Sequence, residues 1–192
     1  MKRIGILGGT FNPVHIGHLT IAQMVSEKIK LDQVIFIPSY LPPHKSNRNI
    51  APAEDRYQML RLAIKGNPKF AISDFEIKKQ GKSYSIDTIK YLKGKFPRGT
   101  KFFFIIGSDL LATLHTWKRI DELEKLVSFI SVNRPGFKKR GSRIKVRSVT
   151  VPGVQTSSTF ARQRLMKGKT VKYLVLDNVL EYIKKNKLYR KS

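Results

Sequence analysis

The sequence contains no cysteine. That excludes a disulfide framework and a thiolate zinc site, and it is compatible with a reducing, cytoplasmic setting. Acid is scarce: 13 Asp and Glu stand against 38 Lys and Arg, for a net charge of +25. No dedicated carboxylate cage for a metal is visible, and no run of His and acid has metal-ligand spacing. No apolar run approaches the roughly 20 residues that cross a bilayer, so no membrane-spanning helix is expected. The first residues lead directly into a strand pattern without a signal-peptide pattern. Two common phosphate-binding fingerprints are missing as well. The glycines do not follow G-x-G-x-x-G. Walker A fails at both Gly-Lys-Ser/Thr sites, where the required glycine is Gln163 in one case and Glu76 in the other.

What is present suffices for a globular fold. The 192 residues, 41% of them hydrophobic, match one domain with a full core, expected to span residues 1–192. No internal repeat or linker divides the chain. The positive charge recurs in almost every surface segment, densest at 138–147 and 184–191. That spread reads as solvated lysines more than as a nucleic-acid stripe, and no aromatic-interleaved basic motif accompanies it. A basic nucleic-acid-binding module therefore stays only as the alternative of another class.

The chain is organised around residues 4–18, IGILGGTFNPVHIGH. Ile4-Gly5-Ile6-Leu7 is a short apolar run of the buried parallel-strand kind. Gly8-Gly9 breaks it and lets a backbone approach a ligand. Asn12-Pro13 makes a turn. His15 and His18, three apart, open an apolar-periodic helix expected over 19–29 and share one face of it. A strand, a glycine turn and a helix N-terminus bearing two imidazoles suit anionic oxygens, phosphate above all.

Val34–Ile37 reads as a second strand, and strand–helix–strand between residues 4 and 37 is a βαβ unit that implies a parallel sheet. Residues 39–49 form a proline-stiffened loop that presents His44 and Lys45. Residues 52–64 read as a core-facing helix and 70–73 as a strand, with 74–77 continuing in extended form. Ser83 and Ser85 are residues of N-cap type before a helix marked by Ile86, Ile89 and Leu92. Residues 101–106 are the strongest strand, ending in Gly107-Ser108-Asp109, where an open parallel sheet binds ligands. Asp109 can cap the next helix or hold a ribose hydroxyl. The single tryptophan, Trp117, sits among polar neighbours, which predicts partial exposure. Further strands are expected at 127–132 and 144–151, the first ending in Asn133-Arg134. Thr156-Ser157-Ser158-Thr159 opens a helix ending at Gly168, and Leu176, Val179, Leu180 and Ile183 mark a docking C-terminal helix.

GGTFNPVHIGH resembles the H-x-G-H signature of the nucleotidyltransferase superfamily, in the form found in bacterial nicotinate-mononucleotide adenylyltransferases. That family usually has Asp where this chain has Asn12. The segment S-Y-S-x-D-T at 83–88 is similar to the family's S-Y-T-x-D-T, the triplet G-S-D at 107–109 matches, and S-S-T-x-x-R at 157–162 is similar to its S-S-T-x-I-R. The resemblance implies an α/β, Rossmann-like nucleotidyltransferase fold, a mainly parallel sheet with helices on both faces. It implies adenylyl transfer from ATP to nicotinate mononucleotide, with Mg²⁺ carried by ATP and His15 and His18 as catalytic donors. ATP would lie on Gly8, Gly9, Thr10 and Phe11 with the two histidines. Lys45, Gly107, Asp109, Ser157, Ser158, Thr159 and Arg162 would complete its site. The mononucleotide would lie by Lys45, Ser83, Tyr84, Ser85, Asp87, Thr88 and Arg134, its pyridine stacked on Trp117. Nicotinamide mononucleotide and 4′-phosphopantetheine are the alternative acceptors, and a homo-oligomer is compatible with the sequence.

Overall fold

The computed structural model describes residues 1–41, 50–133, 143–152 and 156–190. Six parallel strands form one sheet in the order β3-β2-β1-β4-β5-β6. They are β1 (Arg3–Gly9), β2 (Gln33–Pro38), β3 (Phe70–Ile72), β4 (Lys101–Gly107), β5 (Ser128–Val132) and β6 (Val146–Val149). The helices between them are α1 (Ile16–Lys28), α2 (Ala53–Ile64), α3 (Phe75–Lys79), α4 (Ser85–Lys95) and α5 (Ile120–Leu126). A 3₁₀ helix (Ser108–Thr116) follows β4, and α6 (Ser158–Met166) and α7 (Asp177–Lys185) follow β6.

The strands alternate their apolar residues between two faces, and each face receives its own helices. Leu7, Phe36, Phe103, Ile105, Ile130 and Val132 meet Val25 of α1, Leu60 of α2, Ala161 of α6 and Val179 of α7. On the other face Ile6, Ile37, Phe104 and Phe129 meet Ile86 and Ile89 of α4, Leu114 of the 3₁₀ helix and Leu123 of α5. Burial on both faces is why β1, β2 and β4 read as continuous apolar runs instead of alternating ones. The chain reverses its direction of winding between β1 and β4, so the crevice beyond their carboxyl ends is where such a sheet receives ligands. Gly8-Gly9 and Gly107 end those two strands.

Three expectations are corrected. Residues 74–77 are not extended: after β3 the chain turns into α3, with the Phe75 N–H donating to Ser73 Oγ and the Phe75 ring stacked on Tyr91 of α4 at 4.2 Å. Four residues of alternation are too few to separate a strand from one turn of helix. The last strand is shorter than 144–151, with Arg147 and Ser148 exposed at the edge of the sheet. Helix α1 begins at Ile16 instead of Leu19, because His15 caps it.

Candidate active site

The β1–α1 connection is built around the two histidines. His15 is the extended N-cap residue of α1, and its backbone N–H donates to His18 Nδ1 at 3.2 Å. A ring nitrogen that accepts is unprotonated, so this bond places the His18 proton on Nε2, leaving a donor on the far side of the ring. The two imidazoles lie 3.7 Å apart between centroids at a tilt of 30°. His15 is buried at 5% exposure, while His18 is half-buried. Gly17 makes that packing possible: a Cβ there would come within 3.1 Å of the His15 ring and 3.2 Å of Thr156 Cγ2. Gly9 does the same for Phe11, whose ring would lie 3.0 Å from a Cβ. The buried Phe11 in turn meets the His18 ring edge-on at 4.9 Å.

The N-terminus of α6 is pinned against the same loop. Ser157 Oγ accepts the Phe160 N–H at 3.1 Å as the helix cap. Ser158 Oγ donates to the Pro13 carbonyl at 2.9 Å. Arg162 donates from Nη1 to the Asn12 carbonyl at 2.8 Å and from Nη2 to Thr159 Oγ1 at 3.3 Å. The hydroxyl run thus has one cap in Ser157, one contact to the loop in Ser158 and one to Arg162 in Thr159, which accounts for more of it than capping alone. Two helix N-termini, α1 and α6, converge on one glycine-opened strand end. At α1 the Ile16 N–H donates to the Leu174 carbonyl and the His18 N–H to the His15 carbonyl, both at 2.9 Å, and both helix dipoles carry their positive end at this strand end.

Asn12 fixes the loop from below. Its Oδ1 accepts the Ala51 N–H at 3.0 Å and the Tyr189 hydroxyl at 2.7 Å. Two side chains that the sequence reading passed over complete this base. Arg56, 1% exposed, donates to four carbonyls: Ala51 at 3.0 Å, Thr10 at 2.8 Å, Ser39 at 2.7 Å and Tyr40 at 2.9 Å. Burial pulls its guanidinium below the ordinary arginine value, with Tyr189 acting the other way; an arginine still stays charged. Arg56 was visible as position i of the stripe that continues at Met59, Leu60 and Ala63. Tyr189 lies in the lysine-rich tail, where no periodicity points to it. Burial pushes its phenol well above the usual tyrosine range, against the opposing pull of Arg162 and Arg56.

Across the crevice, β4 ends at Gly107, with Ser108 buried and Asp109 exposed in the first turn of the 3₁₀ helix. Trp117 ends that helix, half-buried, in edge-to-face contact with Phe104 at 5.6 Å and Phe129 at 6.3 Å. Lys118 sets its ammonium 4.1 Å over the Tyr84 ring, which joins the Trp117 turn to the start of α4. Tyr84, neither Ser83 nor Ser85, is the N-cap residue of α4, and no side chain caps it. Ser83 Oγ instead accepts the Tyr40 N–H at 3.0 Å, because the turn is held to the end of β2. Asp87 pairs with Lys79 at 3.0 Å. Thr88 points inward, 1% exposed, and donates to the carboxylate of Glu76. Lys45 and Arg134 lie outside the described residues.

The residues brought together are therefore Gly8 to Phe11, His15, His18, Ser157 to Thr159 and Arg162 on one side of the crevice. Gly107, Asp109, Trp117 and the 83–88 turn are on the other. Among the described residues no cluster of three or more His, Asp or Glu stands where it could cage a metal. None of their helices is long and apolar enough to cross a membrane.

A cytidylyltransferase-like family profile matches residues 6–164. A protein of Oceanobacillus iheyensis named probable nicotinate-nucleotide adenylyltransferase is 44% identical over 189 residues, 98% of this chain and 97% of that one. A protein of Lactiplantibacillus plantarum with the same name is 45% identical, over 100% of this chain and 90% of its own. Among solved structures, the Plasmodium falciparum nicotinic acid mononucleotide adenylyltransferase complexed with NaAD superposes with a TM-score of 0.81 at 24% identity, over 98% of both chains. That likeness bears on the fold; the sequence identity bears on descent. On the strength of both, the chain belongs to the nicotinate-nucleotide adenylyltransferase family, within the cytidylyltransferase-like fold of nucleotidyltransferases.

Proposed function

We propose that this protein transfers the adenylyl group of ATP to nicotinate mononucleotide, releasing pyrophosphate and forming deamido-NAD. The observation that carries the reading is the convergence of two helix N-termini, His18 Nε2 and Arg162 on the glycine turn that ends β1, at the winding reversal of the sheet. The names of the full-length relatives support the choice of acceptor.

An oxygen of the mononucleotide phosphate attacks the α-phosphorus of ATP in line. The new phosphorus–oxygen bond forms as the bond to the β-phosphate bridging oxygen breaks, and pyrophosphate carries the electron pair away. No protein nucleophile is required, so the protein contributes positioning and charge stabilisation. With its Nδ1 taken by the His15 N–H, His18 directs its Nε2–H at the phosphate oxygens as they gain charge. His15 backs it and turns its own ring to the same oxygens. Arg162, anchored on Asn12, faces the leaving pyrophosphate together with Lys45. On the other side the pyridine stacks on Trp117 and the α4 N-terminus at 83–88 receives the carboxylate. A Mg²⁺ ion carried by ATP would be held by triphosphate oxygens and water. Such an ion neutralises phosphate charge. The lack of cysteine and the use of ATP are compatible with a cytoplasmic setting.

The test is pyrophosphate release from ATP with nicotinate mononucleotide, nicotinamide mononucleotide and 4′-phosphopantetheine in turn. Release is expected to be fastest with the first. His18→Ala keeps the fold and lowers turnover by about 10² or more, the loss that follows removal of one oxyanion-type donor. Near-normal turnover in that variant, or equal rates with all three acceptors, contradicts the assignment.

A further inference from the structure

Glu76 is the buried carboxylate that the mechanism above leaves unused. It sits on α3, 9% exposed, between the end of β2 and the first turn of α4. Thr88 Oγ1 of α4 donates to its Oε1, and the Ser83 hydroxyl also bonds to it. Ser83 Oγ in turn accepts the Tyr40 N–H at 3.0 Å, and the Ser83 N–H donates to the Leu41 carbonyl at 3.2 Å. A chain of bonds therefore runs from the β2 exit through Ser83 to Glu76 and on to Thr88. Glu76, Ser83 and Thr88, with Lys79 and Asp87, line a recess at the start of α4.

We infer that Glu76 is a positioning residue for the mononucleotide: by holding the hydroxyls of Ser83 and Thr88 at once, it sets the angle at which the N-terminus of α4 and the end of β2 face the substrate. The inference deepens the proposed function and rests on it. The chemistry favours a carboxylate for the task. An ionised carboxylate only accepts, and it has lone pairs for two hydroxyl donors. A glutamine presents an acceptor on one side and a donor on the other, so one of the two hydroxyls must turn from donating to accepting and its bonds must rearrange.

The site is also one where a purely structural role would predict a different outcome. Burial pushes the Glu76 carboxyl above the ordinary carboxylate value. The bonds from Thr88 and Ser83 and the Lys79 ammonium on its own helix pull it down, and Asp87 across on α4 pushes it up. A raised value in the folded state means that folded protein holds the proton more tightly than unfolded protein. Stability is thus lost as the pH rises from the ordinary carboxylate value through the raised one. Wherever the carboxyl is ionised, its charge is carried against a desolvation cost, which an uncharged side chain would not bear.

Glu76→Gln is the direct experiment, with calorimetric titration of nicotinate mononucleotide, steady-state constants for both substrates, and thermal unfolding. The expected result is a rise of about tenfold in Kd and KM for the mononucleotide, an ATP KM within about twofold of wild type, and a neutral-pH Tm equal to or above wild type. Thr88→Val, which leaves the carboxylate one donor short, is expected to move the mononucleotide KM in the same direction. It adds less in the Glu76→Gln background than in wild type. Equal changes in both KM values, no change in either, or independent effects of the two substitutions overturns the inference. So does a lowered Tm accompanied by a uniform loss of turnover. Those outcomes leave the function standing so long as the wild type releases pyrophosphate with nicotinate mononucleotide. A wild type that does not do so overturns the function, and the inference with it. Should Glu76→Gln fail to fold, Glu76→Asp, which keeps the carboxylate but shortens its reach, carries the same KM comparison.

Discussion

Gly17 contributes no side chain to the candidate site, yet the two histidines depend on it. A methyl group there would press on the His15 ring and on Thr156 together, and the ring cannot withdraw without disturbing His18, 3.7 Å away. Gly17→Ala should leave the helix as stable or more so, since alanine is the better helix former. Turnover is expected to fall by about 10- to 100-fold, the range for a displacement of about 1 Å near the reacting atoms. Thermal unfolding and kcat on the same preparation check this; unchanged turnover would show that the imidazole pair is not held by close packing. At this scale the sequence told much about chemistry and less about support. His15 and His18 were legible as a pair on one helix face, three apart after a glycine turn, and their rings do pack together. Asn12 was legible as a turn residue, and its acceptance of the Tyr189 hydroxyl was not, since 177 positions separate them. Thr88 read as a substrate contact, and only the structure shows it turned inward onto Glu76.

Elements locate these residues by being tied to one another at their ends. Arg56 is the main tie. From α2 it holds the carbonyls of Thr10 after β1, Ser39 and Tyr40 after β2, and Ala51 at the return of the 42–49 segment. Arg56→Met fills much of the volume but leaves four carbonyls without their donor. The expected cost is about 3 kcal/mol or more, because a buried acceptor stripped of its partner keeps its desolvation penalty. Urea unfolding measures it; a change below about 1 kcal/mol would mean that water or a neighbour takes over the carbonyls. The strands were legible as elements because burial on both faces removes polar residues from them. Helix starts were less so. Ser83 and Ser85 read as caps by residue type, while the chain caps α4 with Tyr84 and uses Ser83 to reach β2. Cap type is a local property, and the bond to Tyr40 comes from 43 residues away. For α6 the local signal prevailed, with Ser157 as the cap.

The whole molecule sets the site through its strand order. With β1 central and β4 beside it, the glycine ends of both strands open on the same crevice, and the 3₁₀ helix and α4 close its far side. The sequence implied a parallel sheet from its first βαβ unit; the order of six strands came only with the structure. The chain carries a net charge of +25, and both substrates are anions. Steering by the field of the protein raises the rate of encounter and is screened by salt, since the Debye length falls from about 10 Å at 0.1 M to about 3 Å at 1 M. The ratio kcat/KM for the mononucleotide should therefore fall with added potassium chloride more steeply than kcat. A parallel decline in both would assign the charge to something other than substrate capture.

The central claim is that the crevice brings a mononucleotide phosphate to the α-phosphorus of ATP without a covalent enzyme intermediate. ATP labelled at the α-phosphorus, mixed with nicotinate mononucleotide in a single turnover, tests it most directly. The account predicts that the label passes into the dinucleotide with none in pyrophosphate and none on the protein, and that His18→Ala slows this transfer. Label retained on the protein, or no labelled dinucleotide at all, would contradict it.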